Sequence, residues 1–392
     1  MNFELSQEQK ILQKTVRDFC AREIIPRAAA WNEAEQFPHE IVAPLAALGV
    51  FGIQIPERYG GAGMGMLDLT VAVEEISRAD ASVGLTVASH NLLCMDHIHL
   101  AGTEEQRHKY LPRLANGKAL GAWCLTEPDS GSDAGAARTR AIRRDGKGGA
   151  EWVLNGGKCF ITQGSVADVY VVLASTTPAR KQKGLTAFIL EKGTPGLRPG
   201  RLVAKMGLWA SDTADVILEE VVVPDGQRLG QLDGGFFDTG KVLDRGRIGI
   251  GAWAVGIGRA AFEAARSYAL ARVQFGKPIA QFQAIRTKLA DMATELDAAR
   301  LLVQRAALMQ DAGQRTTRES SVAKYYASQA AVRACDAAVQ IHGGYGYTRE
   351  FPVERYLRDV KLAEIGEGTT EIQKLVIARE VLREAGAPTG NR

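Results

Sequence analysis

Three glutamates near the C-terminus, in the stretch "EIGEGTTEIQKL", stand three and four residues apart: Glu364, Glu367 and Glu371. On a continuous helix they would share one face, because residues at these spacings are neighbours there, and they would form a solvated acidic stripe. Gly366 and Gly368 flank Glu367, and each glycine costs roughly 1 kcal/mol inside a helix relative to alanine. The glycines therefore predict a turn at Glu367.

The residues after this turn predict a new helix. Thr369 and Thr370 are candidates for its N-cap, because a threonine oxygen can accept a hydrogen bond from a free N–H group of the first helical turn. Apolar residues then follow at helical spacing, namely Ile372, Leu375, Val376 and Ala378. We expect Glu367 to lie on the loop that precedes this helix.

A second polar segment, "WCLTEPDSGSDAG", combines hydroxyl groups with glycines. Thr126, Ser130 and Ser132 carry the hydroxyls, while Gly131 and Gly135 leave backbone N–H groups approachable. Such a loop can hold a phosphate or pyrophosphate without using a full positive charge. A plain turn is the alternative interpretation.

Two further segments carry groups that could contact one ligand. In "ARVQFGKPIAQFQAI", at a helix end and the start of the next helix, Arg272, Phe275 and Gln283 offer a cation, a ring and an amide. In "VQIHGGYGYTREFPVERYLRD", three glycines permit close approach of the backbone, namely Gly343, Gly344 and Gly346. For this second segment, a helix C-cap is the alternative.

The elements that must position these groups change along the chain. Residues 1–120 repeat apolar residues at helical spacing, and the "SQEQ" start is a capping-box pattern. Residues 121–232 contain short runs rich in Val, Ile and Thr, separated by Gly, Asn and Pro. Long helical patterns return over 233–392. We predict an α+β fold with an N-terminal α-helical domain, a central β-barrel or sandwich domain, and a C-terminal four-helix bundle.

Composition excludes several classes of function. The chain has 392 residues and a net charge of +3, from 48 Lys and Arg against 45 Asp and Glu, with no basic stripe for nucleic acid. No run reaches the roughly 20 apolar residues of a membrane span, and the N-terminus lacks a signal-peptide pattern. We expect a cytoplasmic protein. Its five cysteines are widely spaced, which predicts free thiols: Cys20, Cys94, Cys124, Cys159 and Cys335.

Two short motifs suggest sites that their context disfavours. The GxGxxA patterns at Gly249 and Gly256 lie within one helical stretch, whereas a dinucleotide fingerprint follows a strand, so we interpret them as helix packing. In "CMDHIH", Cys94 and His97 could share a helical face, but His99 would point away from them. A packed helix is therefore favoured over a metal site, and we predict no metal.

Four of these segments occur together in a way that is typical of one family. "WCLTEPDSGSDAG", "ARVQFGKPIAQFQAI", "VQIHGGYGYTREFPVERYLRD" and "EIGEGTTEIQKLVIARE", in this order in an α, β, α chain, resemble the acyl-CoA dehydrogenases over essentially residues 1–385. The wording "LDRGRIGIG" is similar to the short-chain, butyryl-CoA type. The resemblance implies a flavoprotein of fatty-acid β-oxidation, with FAD bound between the β domain and the C-terminal helices of a homotetramer.

The resemblance also implies the residues of the cofactor site. Leu125, Thr126 and Thr162 would contact the flavin ring, with Phe160 beside it, and Ser132 would contact the pyrophosphate or the substrate. A second group, supplied by the neighbouring subunit, would hold the pyrophosphate and adenosine: Arg272, Phe275, Gln283, Gln340 and Gly344. Thr369 and Glu371 would complete the site.

For catalysis, the resemblance implies that Glu367 removes the α-proton of an acyl-CoA thioester, while a β-hydride passes to flavin N5. This proton is a very weak acid, so the site must stabilise enolate charge on the thioester oxygen, and an apolar pocket raises the pKa of the base. The Glu367 N–H and a ribityl hydroxyl of FAD would be the two donors to that oxygen. The implied substrate contacts are Ser132, Asp244, Arg247, Gly366 and Gly368.

The sequence departs from the family at three positions. Phe160 stands where a Trp is usual, Gly366 stands where a Tyr commonly precedes the base, and Trp209 stands where an Arg is frequent. Some members carry the base on the long helix instead, and the matching residue here is Gly246, which cannot serve as a base. The expected electron acceptor is electron-transfer flavoprotein. An acyl-CoA oxidase-like protein that uses O2 and a non-enzymatic helical scaffold are the alternatives.

Overall fold

The computed structural model describes residues 4–146 and 149–386, and their order is helices, one sheet, then helices. This is the α+β arrangement that the sequence predicts. Residues 1–3 and 387–392, at the outer ends of the predicted domains, lie outside the described residues.

The first part of the chain is helical. Its helices are α1 (Gln7–Phe19), α2 (Ala28–Ala34), α3 (Val42–Ala47), α4 (Met66–Ala79), α5 (Ala81–Ser89), α6 (Asp96–Ala101) and α7 (Glu104–Ala115). The predicted capping box begins α1, because Ser6 Oγ accepts from the Gln9 N–H at 3.2 Å and Gln9 Oε1 accepts from the Ser6 N–H at 3.0 Å. A π-helical turn, His90–Met95, joins α5 to α6.

The middle part forms the sheet. Its strands are β1 (Gly121–Cys124), β2 (Arg140–Gly146), β3 (Gly149–Thr162), β4 (Val169–Ser175), β5 (Leu185–Glu191), β6 (Leu197–Leu202), β7 (Thr213–Pro224) and β8 (Arg228–Leu229). Over the described residues they make one eight-stranded sheet in the order β6-β7-β3-β2-β4-β5-β8, with β1 parallel to β4. The register of β3 against β7 shifts between Lys158 and Ile161, which breaks the regular alternation of side chains there.

The last part is again helical. Its elements are α8 (Gly235–Ala271), the hairpin strands β9 (Val273–Gln274) and β10 (Lys277–Pro278), α9 (Gln283–Asp311), α10 (Thr317–His342), α11 (Val353–Val360) and α12 (Thr370–Glu384). Helix α10 packs against α8, α9 and α12, so these four helices form the predicted bundle.

The two helical parts share one hydrophobic core, which contains buried residues of α1, α4, α5, α8, α9 and α10. Trp253 of α8 donates from Nε1 to the carbonyl oxygen of Ala81 at 2.7 Å. A buried ion-pair group adds to this contact, because the Glu75 carboxylate lies 2.8 Å from both Arg17 and Arg259. The C-terminal helices are therefore held rigidly against the N-terminal ones.

The glycines of the GxGxxA patterns serve helix packing, as predicted. A Cβ atom at Gly256 would lie 2.5 Å from the carbonyl oxygen of Glu74 and 2.7 Å from Ser77 Cβ, both on α4. A Cβ atom at Gly249 would overlap Leu92. Small residues at these points let α8 approach its neighbours closely, and no nucleotide fingerprint is required to explain them.

The cysteines and the "CMDHIH" segment are buried in the helical and sheet cores. All five cysteines are free and buried. Asp96 pairs with Arg245 at 2.6 Å, and His97 Nδ1 accepts from Trp123 Nε1 at 3.0 Å. In residues 4–146 and 149–386, no cluster of three or more His, Cys, Asp or Glu is arranged to hold a metal. Among the described helices, none is both long and apolar enough to cross a membrane.

Candidate active site

The predicted turn at Glu367 is present. Helix α12 begins at Thr370, and Thr369 is its N-cap, with Oγ1 accepting from the Ile372 N–H at 3.3 Å. Glu367 and Gly368 both have positive φ angles, of 53° and 94°. The left-handed conformation is strained for a glutamate and easy for a glycine, so the chain turns sharply here, between the short helical turn before Glu367 and α12.

The three glutamates of this segment have different surroundings. Glu364 contacts Gln329 and pairs with Lys361 at 2.5 Å. Glu371 is exposed at the start of α12. Glu367 Oε2 is buried and has no hydrogen-bond partner among the described residues. Of the three glutamates, Glu367 is thus the one with a buried carboxylate oxygen that has no partner among the described residues.

The electrostatics of Glu367 suit a proton acceptor. Burial raises the pKa of its carboxyl to about 7, and the positive charges of Lys324 and Arg247 work against this rise in pKa. A carboxylate with a pKa near neutrality is ionised for a large part of the time at pH 7 and binds a proton more strongly than an ordinary glutamate does.

The backbone of the turn is fixed by two side chains. Lys324 Nζ, on α10, donates to the carbonyl oxygen of Gly368 at 2.7 Å. Gln373 Nε2, on α12, donates to the same oxygen at 2.9 Å and to the carbonyl oxygen of Glu367 at 3.2 Å. These bonds hold the strained backbone in one conformation and so direct the carboxylate.

Residues of helix α8 lie opposite Glu367. A Cβ atom at Gly246 would overlap Glu367 Oε2, and it would lie 3.2 Å from Leu93 Cδ2. Arg247 is buried and donates from Nη1 to Asp244 Oδ1 at 3.1 Å. A Cβ atom at Gly368 would lie 3.8 Å from Arg247 Nη2. The structure therefore brings the predicted substrate residues Arg247 and Gly368 next to Glu367, and Asp244 contacts Arg247.

The loop after β1 is locked by a buried ion pair. Lys158 Nζ lies 2.7 Å from Glu127 Oε1 and donates to the carbonyl oxygen of Leu125 at 3.0 Å. The Cys159 N–H donates to the carbonyl oxygen of Thr126 at 2.9 Å. This loop is consequently tied to β3, the strand that carries Phe160 and Thr162, so four of the predicted flavin contacts lie on one connected unit.

Within the same loop, the serines differ in role. Ser130 forms reciprocal backbone hydrogen bonds with Glu127, both at 3.0 Å, and its Oγ donates to the carbonyl oxygen of Asp133 at 2.7 Å. Its hydroxyl is therefore used by the turn. Ser132 is exposed and remains available for a ligand.

Phe160 projects from the sheet. Its φ angle is 57°, at the register shift of β3, and its side chain is 62% exposed. A large ring in this position is unfavourable in water and has the shape to cover a flat apolar group.

The second predicted group lies at the far end of α8. The two central residues of the β9–β10 hairpin, Phe275 and Gly276, have positive φ angles, and the Phe275 ring is 93% exposed. The Arg272 guanidinium lies 5.6 Å from the Tyr345 ring centroid, which brings Arg272 to the glycine-rich segment containing Gly344. Gln283 and Gln340 are exposed at the adjacent helix ends.

The two groups do not meet within one chain. Gly246 lies in the first half of the continuous helix α8, and Arg272 directly follows its last residue, Ala271. At 1.5 Å per residue they are about 39 Å apart along its axis. An open pocket of ≈ 520 Å³ beside Arg272 is lined by Tyr268, His342 and Phe351 among others, and none of its lining residues belongs to the Glu367 group.

Sequence reasoning missed three buried polar residues that bond to the loops of the site: Lys324, Gln373 and Lys158. Each is fully or almost fully buried and polar. Lys324 did carry a signal, because it lies on the same helical face as the small residues Ser320, Ala327 and Ser328, where a lysine is out of place. Its partner Gly368 is far away in sequence, so no local pattern connects the two.

Comparisons with known proteins show to which family the chain is similar. Three family models match in sequence: the N-terminal domain of acyl-CoA dehydrogenase at residues 6–118, its middle domain at 122–221 and its C-terminal domain at 233–382. The short-chain specific acyl-CoA dehydrogenase of Clostridium acetobutylicum is 43% identical over 383 residues, which cover 98% of this chain and 100% of that protein.

Two solved structures are similar over nearly the full chain. Butyryl-CoA dehydrogenase from Megasphaera elsdenii has a TM-score of 0.95 and 41% identity, covering 98% of this chain and 100% of that one. A chain from the structure titled electron transferring flavoprotein of Acidaminococcus fermentans gives the same values. On the family models, these relatives and the shared α, β, α order, this chain belongs to the acyl-CoA dehydrogenase family.

Proposed function

We propose that this protein is an FAD-dependent dehydrogenase that converts an acyl-CoA thioester to the trans-2-enoyl-CoA, with Glu367 as the base that removes the α-proton. The observation that carries this proposal is the buried, unpartnered Oε2 of Glu367 on a fixed turn. The raised pKa of its carboxyl, about 7, matches the task of accepting a proton from a weak carbon acid near neutral pH.

Charge that develops on the thioester oxygen needs a hydrogen-bond donor. In the described part of the chain, no acceptor is paired with the Glu367 N–H. This N–H lies on the same residue as the base, so a substrate whose α-carbon faces the carboxylate would bring its carbonyl oxygen near that donor. Arg247 and Asp244, beside the turn, would contact the CoA portion.

The residues present fit FAD. Bound FAD would supply the hydride acceptor for the β-hydrogen. Leu125, held by Lys158, and Thr126, held by the Cys159 N–H, would contact the flavin together with Phe160 and Thr162. Ser132 would contact the pyrophosphate or the substrate. Thr369 and Glu371, at the start of α12, would complete the cofactor site.

A homotetramer explains the second group. Arg272 lies about 39 Å along the α8 axis from Gly246, the residue that faces Glu367, so we infer that Arg272 and its neighbours Phe275, Gln283, Gln340 and Gly344 bind the FAD of a neighbouring subunit. The nearly complete exposure of Phe275 supports this, because such a ring is normally covered by a partner.

The test of the base is Glu367→Gln. We expect this variant to retain FAD and to bind butyryl-CoA, yet to lose flavin reduction by several orders of magnitude, because the proton acceptor is gone. Glu364→Gln is the matched control, since Glu364 lies one turn away and pairs with Lys361. Near-normal flavin reduction in Glu367→Gln would show that another residue is the base. A purified protein without a flavin spectrum would favour a non-enzymatic scaffold.

The proposed electron acceptor is electron-transfer flavoprotein. An oxidase-like protein would use the same site and differ only in what reoxidises the flavin. Anaerobic reduction by substrate followed by exposure to O2 separates the two, because slow reoxidation by O2 with fast transfer to electron-transfer flavoprotein supports the dehydrogenase, and rapid reoxidation by O2 supports the oxidase.

A further inference from the structure

Lys324 has an unusual environment for a lysine. Its side chain is 0% exposed, in the middle of α10, and its Nζ donates to a peptide oxygen, that of Gly368, at 2.7 Å. Over residues 4–146 and 149–386, no carboxylate lies within ion-pair distance of this ammonium group. A buried ammonium without a direct counter-ion is costly, so its position calls for a reason beyond packing.

The hydrogen bond reaches the turn that carries Glu367. Gly368 directly follows Glu367, and both have positive φ angles. The Gly368 carbonyl accepts from Lys324 and also from Gln373 Nε2 at 2.9 Å. One carbonyl oxygen thus receives one charged and one neutral donor, and the charged bond is the stronger of the two.

Among the charged groups around Lys324, Glu367 is its main counter-charge. Arg247 also faces Glu367, but Asp244 neutralises it at 3.1 Å. The remaining charged groups near Lys324 and Glu367 are Glu364, held by Lys361, Glu371 at the exposed start of α12, and Arg379, which pairs with Glu380 at 3.2 Å. The unpaired positive charge closest to the turn is therefore that of Lys324.

We propose that Lys324 is a positioning residue for the base: it fixes the Glu367–Gly368 turn through the Gly368 carbonyl, and its charge favours the carboxylate form of Glu367. This inference rests on the proposed role of Glu367. On this proposal, a side chain of α10 keeps the Glu367 carboxylate in position and ionised although the carboxylate is buried. Burial lowers the pKa of the Lys324 ammonium to about 8, with Glu367 acting against that decrease in pKa.

The test compares Lys324→Met with Gln373→Leu in the FAD-loaded enzyme. The first change removes a charge and a hydrogen bond to the Gly368 carbonyl, whereas the second removes only neutral hydrogen bonds, to the carbonyl oxygens of Gly368 and Glu367. Flavin reduction by butyryl-CoA is measured by stopped flow across pH. We expect Lys324→Met to move the acid limb of the pH–rate profile to higher pH by about 1 unit or more, because loss of a nearby positive charge raises the pKa of a carboxyl. Gln373→Leu should slow reduction without moving the limb.

A second readout does not depend on activity. Infrared titration of the carboxyl stretch that is missing in Glu367→Gln reports the pKa of Glu367 directly, and we expect the same upward shift in Lys324→Met. If Lys324→Met does not fold, Lys324→Gln and Lys324→Arg replace it. Both side chains can donate to the Gly368 carbonyl, but only arginine keeps the positive charge. Only Lys324→Gln should therefore raise the pKa of Glu367.

The outcomes separate this inference from the proposed function. If Glu367→Gln retains flavin reduction, the base is elsewhere and the proposed function fails. If Glu367→Gln is inactive while the pH limb and the infrared titration of Lys324→Met match those of the unmodified protein, the role of Lys324 is overturned and Glu367 keeps its role. A loss of rate that is equal at every pH, with the acid limb unmoved, would also overturn the role of Lys324, because a merely structural lysine would give that result.

Discussion

The carboxylate of Glu367 occupies the space that a side chain at position 246 would need. A Cβ atom on Gly246 would overlap Glu367 Oε2. Gly246 lies inside α8, where glycine is unfavourable by up to about 1 kcal/mol relative to alanine. The clearance that it gives to the carboxylate is a physical reason for a glycine at this point of the helix.

Gly246→Ala should therefore reduce activity much more than stability. The added methyl group would push the Glu367 carboxylate from its position, so we expect flavin reduction to fall by 100-fold or so, because catalysis is sensitive to displacements of about 1 Å. The control is Gly240→Ala on the same helix, where a Cβ atom would meet nothing within 4 Å. It should gain stability and keep its rate. Equal rates in both variants would contradict the steric relationship.

The pH dependence of flavin reduction follows from the pKa of Glu367. The carboxyl has a raised pKa of about 7, and it must be ionised to accept a proton, so the rate should rise with pH through that value and level off above it. Stopped-flow reduction at low substrate concentration, measured from about pH 5.5 to 9, reports the group in the free enzyme. A rate that stays constant down to about pH 5.5, as expected for a carboxyl with the ordinary pKa of 4.5, would show that burial does not perturb Glu367.

Local signals in the sequence predict the turn and its cap. Gly366 and Gly368 disfavour a helix through Glu367, and Thr369 can cap the helix that follows, so both features depend on residues within a few positions of each other. The strands are predictable for a similar reason, because their runs of Val, Ile and Thr are bounded by turn residues.

Features that depend on distant contacts are not predictable in this way. Lys324 meets Gly368 only after α10 and α12 pack together, and Lys158 meets Glu127 across the sheet. The β9–β10 hairpin is also missed, because its central dipeptide is Phe275–Gly276 rather than the Asn-Gly or Asp-Gly that marks such turns. The sequence predicts a helix end there and gives no sign of two paired strands.

Trp209 stands where an arginine is frequent in the family, and its surroundings give a physical account of that difference. The guanidinium carbons of Arg358 and Arg349 lie over its ring, 4.1 and 5.3 Å from the centroid, and its Nε1 donates to the carbonyl oxygen of Lys205 at 2.8 Å. An arginine at position 209 would place a third positive charge beside two others.

We therefore expect Trp209→Arg to destabilise the protein by about 1–3 kcal/mol, from two lost cation–π contacts and one lost hydrogen bond. Trp209→Phe keeps a ring for the two guanidinium groups and loses only the N–H, so this variant should lose less stability than Trp209→Arg. Urea unfolding followed by circular dichroism measures both. Equal stability of Trp209→Arg and the unmodified protein would refute this account.

Arg272→Ala tests the sharing of FAD between subunits. If Arg272 binds the cofactor of a neighbour, the variant should lose both FAD retention and assembly, since a ligand that bridges two chains stabilises their association. Sedimentation and flavin content, measured on the same samples, give the two quantities. Arg266→Ala is the control, because Arg266 is also exposed on α8 and lies over Phe262 instead. A monomer that holds FAD tightly would refute the sharing.

The last prediction concerns the acyl group and starts from Gly366, where the family commonly has a tyrosine. The three heavy atoms nearest to a Cβ atom built at Gly366 all belong to Leu362, at 3.5–3.7 Å, so neither Trp209 nor Phe160 is the closest filler of this space. The φ angle of Gly366 is not positive, so the backbone accepts a side chain without strain.

If this space faces the α-carbon of the substrate, it would admit a methyl branch, and Gly366→Tyr should close it. We expect that variant to lose activity on 2-methyl-branched acyl-CoA while it keeps much of its activity on butyryl-CoA. The expected discrimination is about 10–200-fold, because one methyl group in an apolar pocket is worth only about 1–3 kcal/mol. Gly366→Ala, which adds little volume, should retain both substrates. Equal losses on the branched and straight substrates in Gly366→Tyr would show that the ring disturbs the turn at Glu367 and that Gly366 does not select the acyl chain.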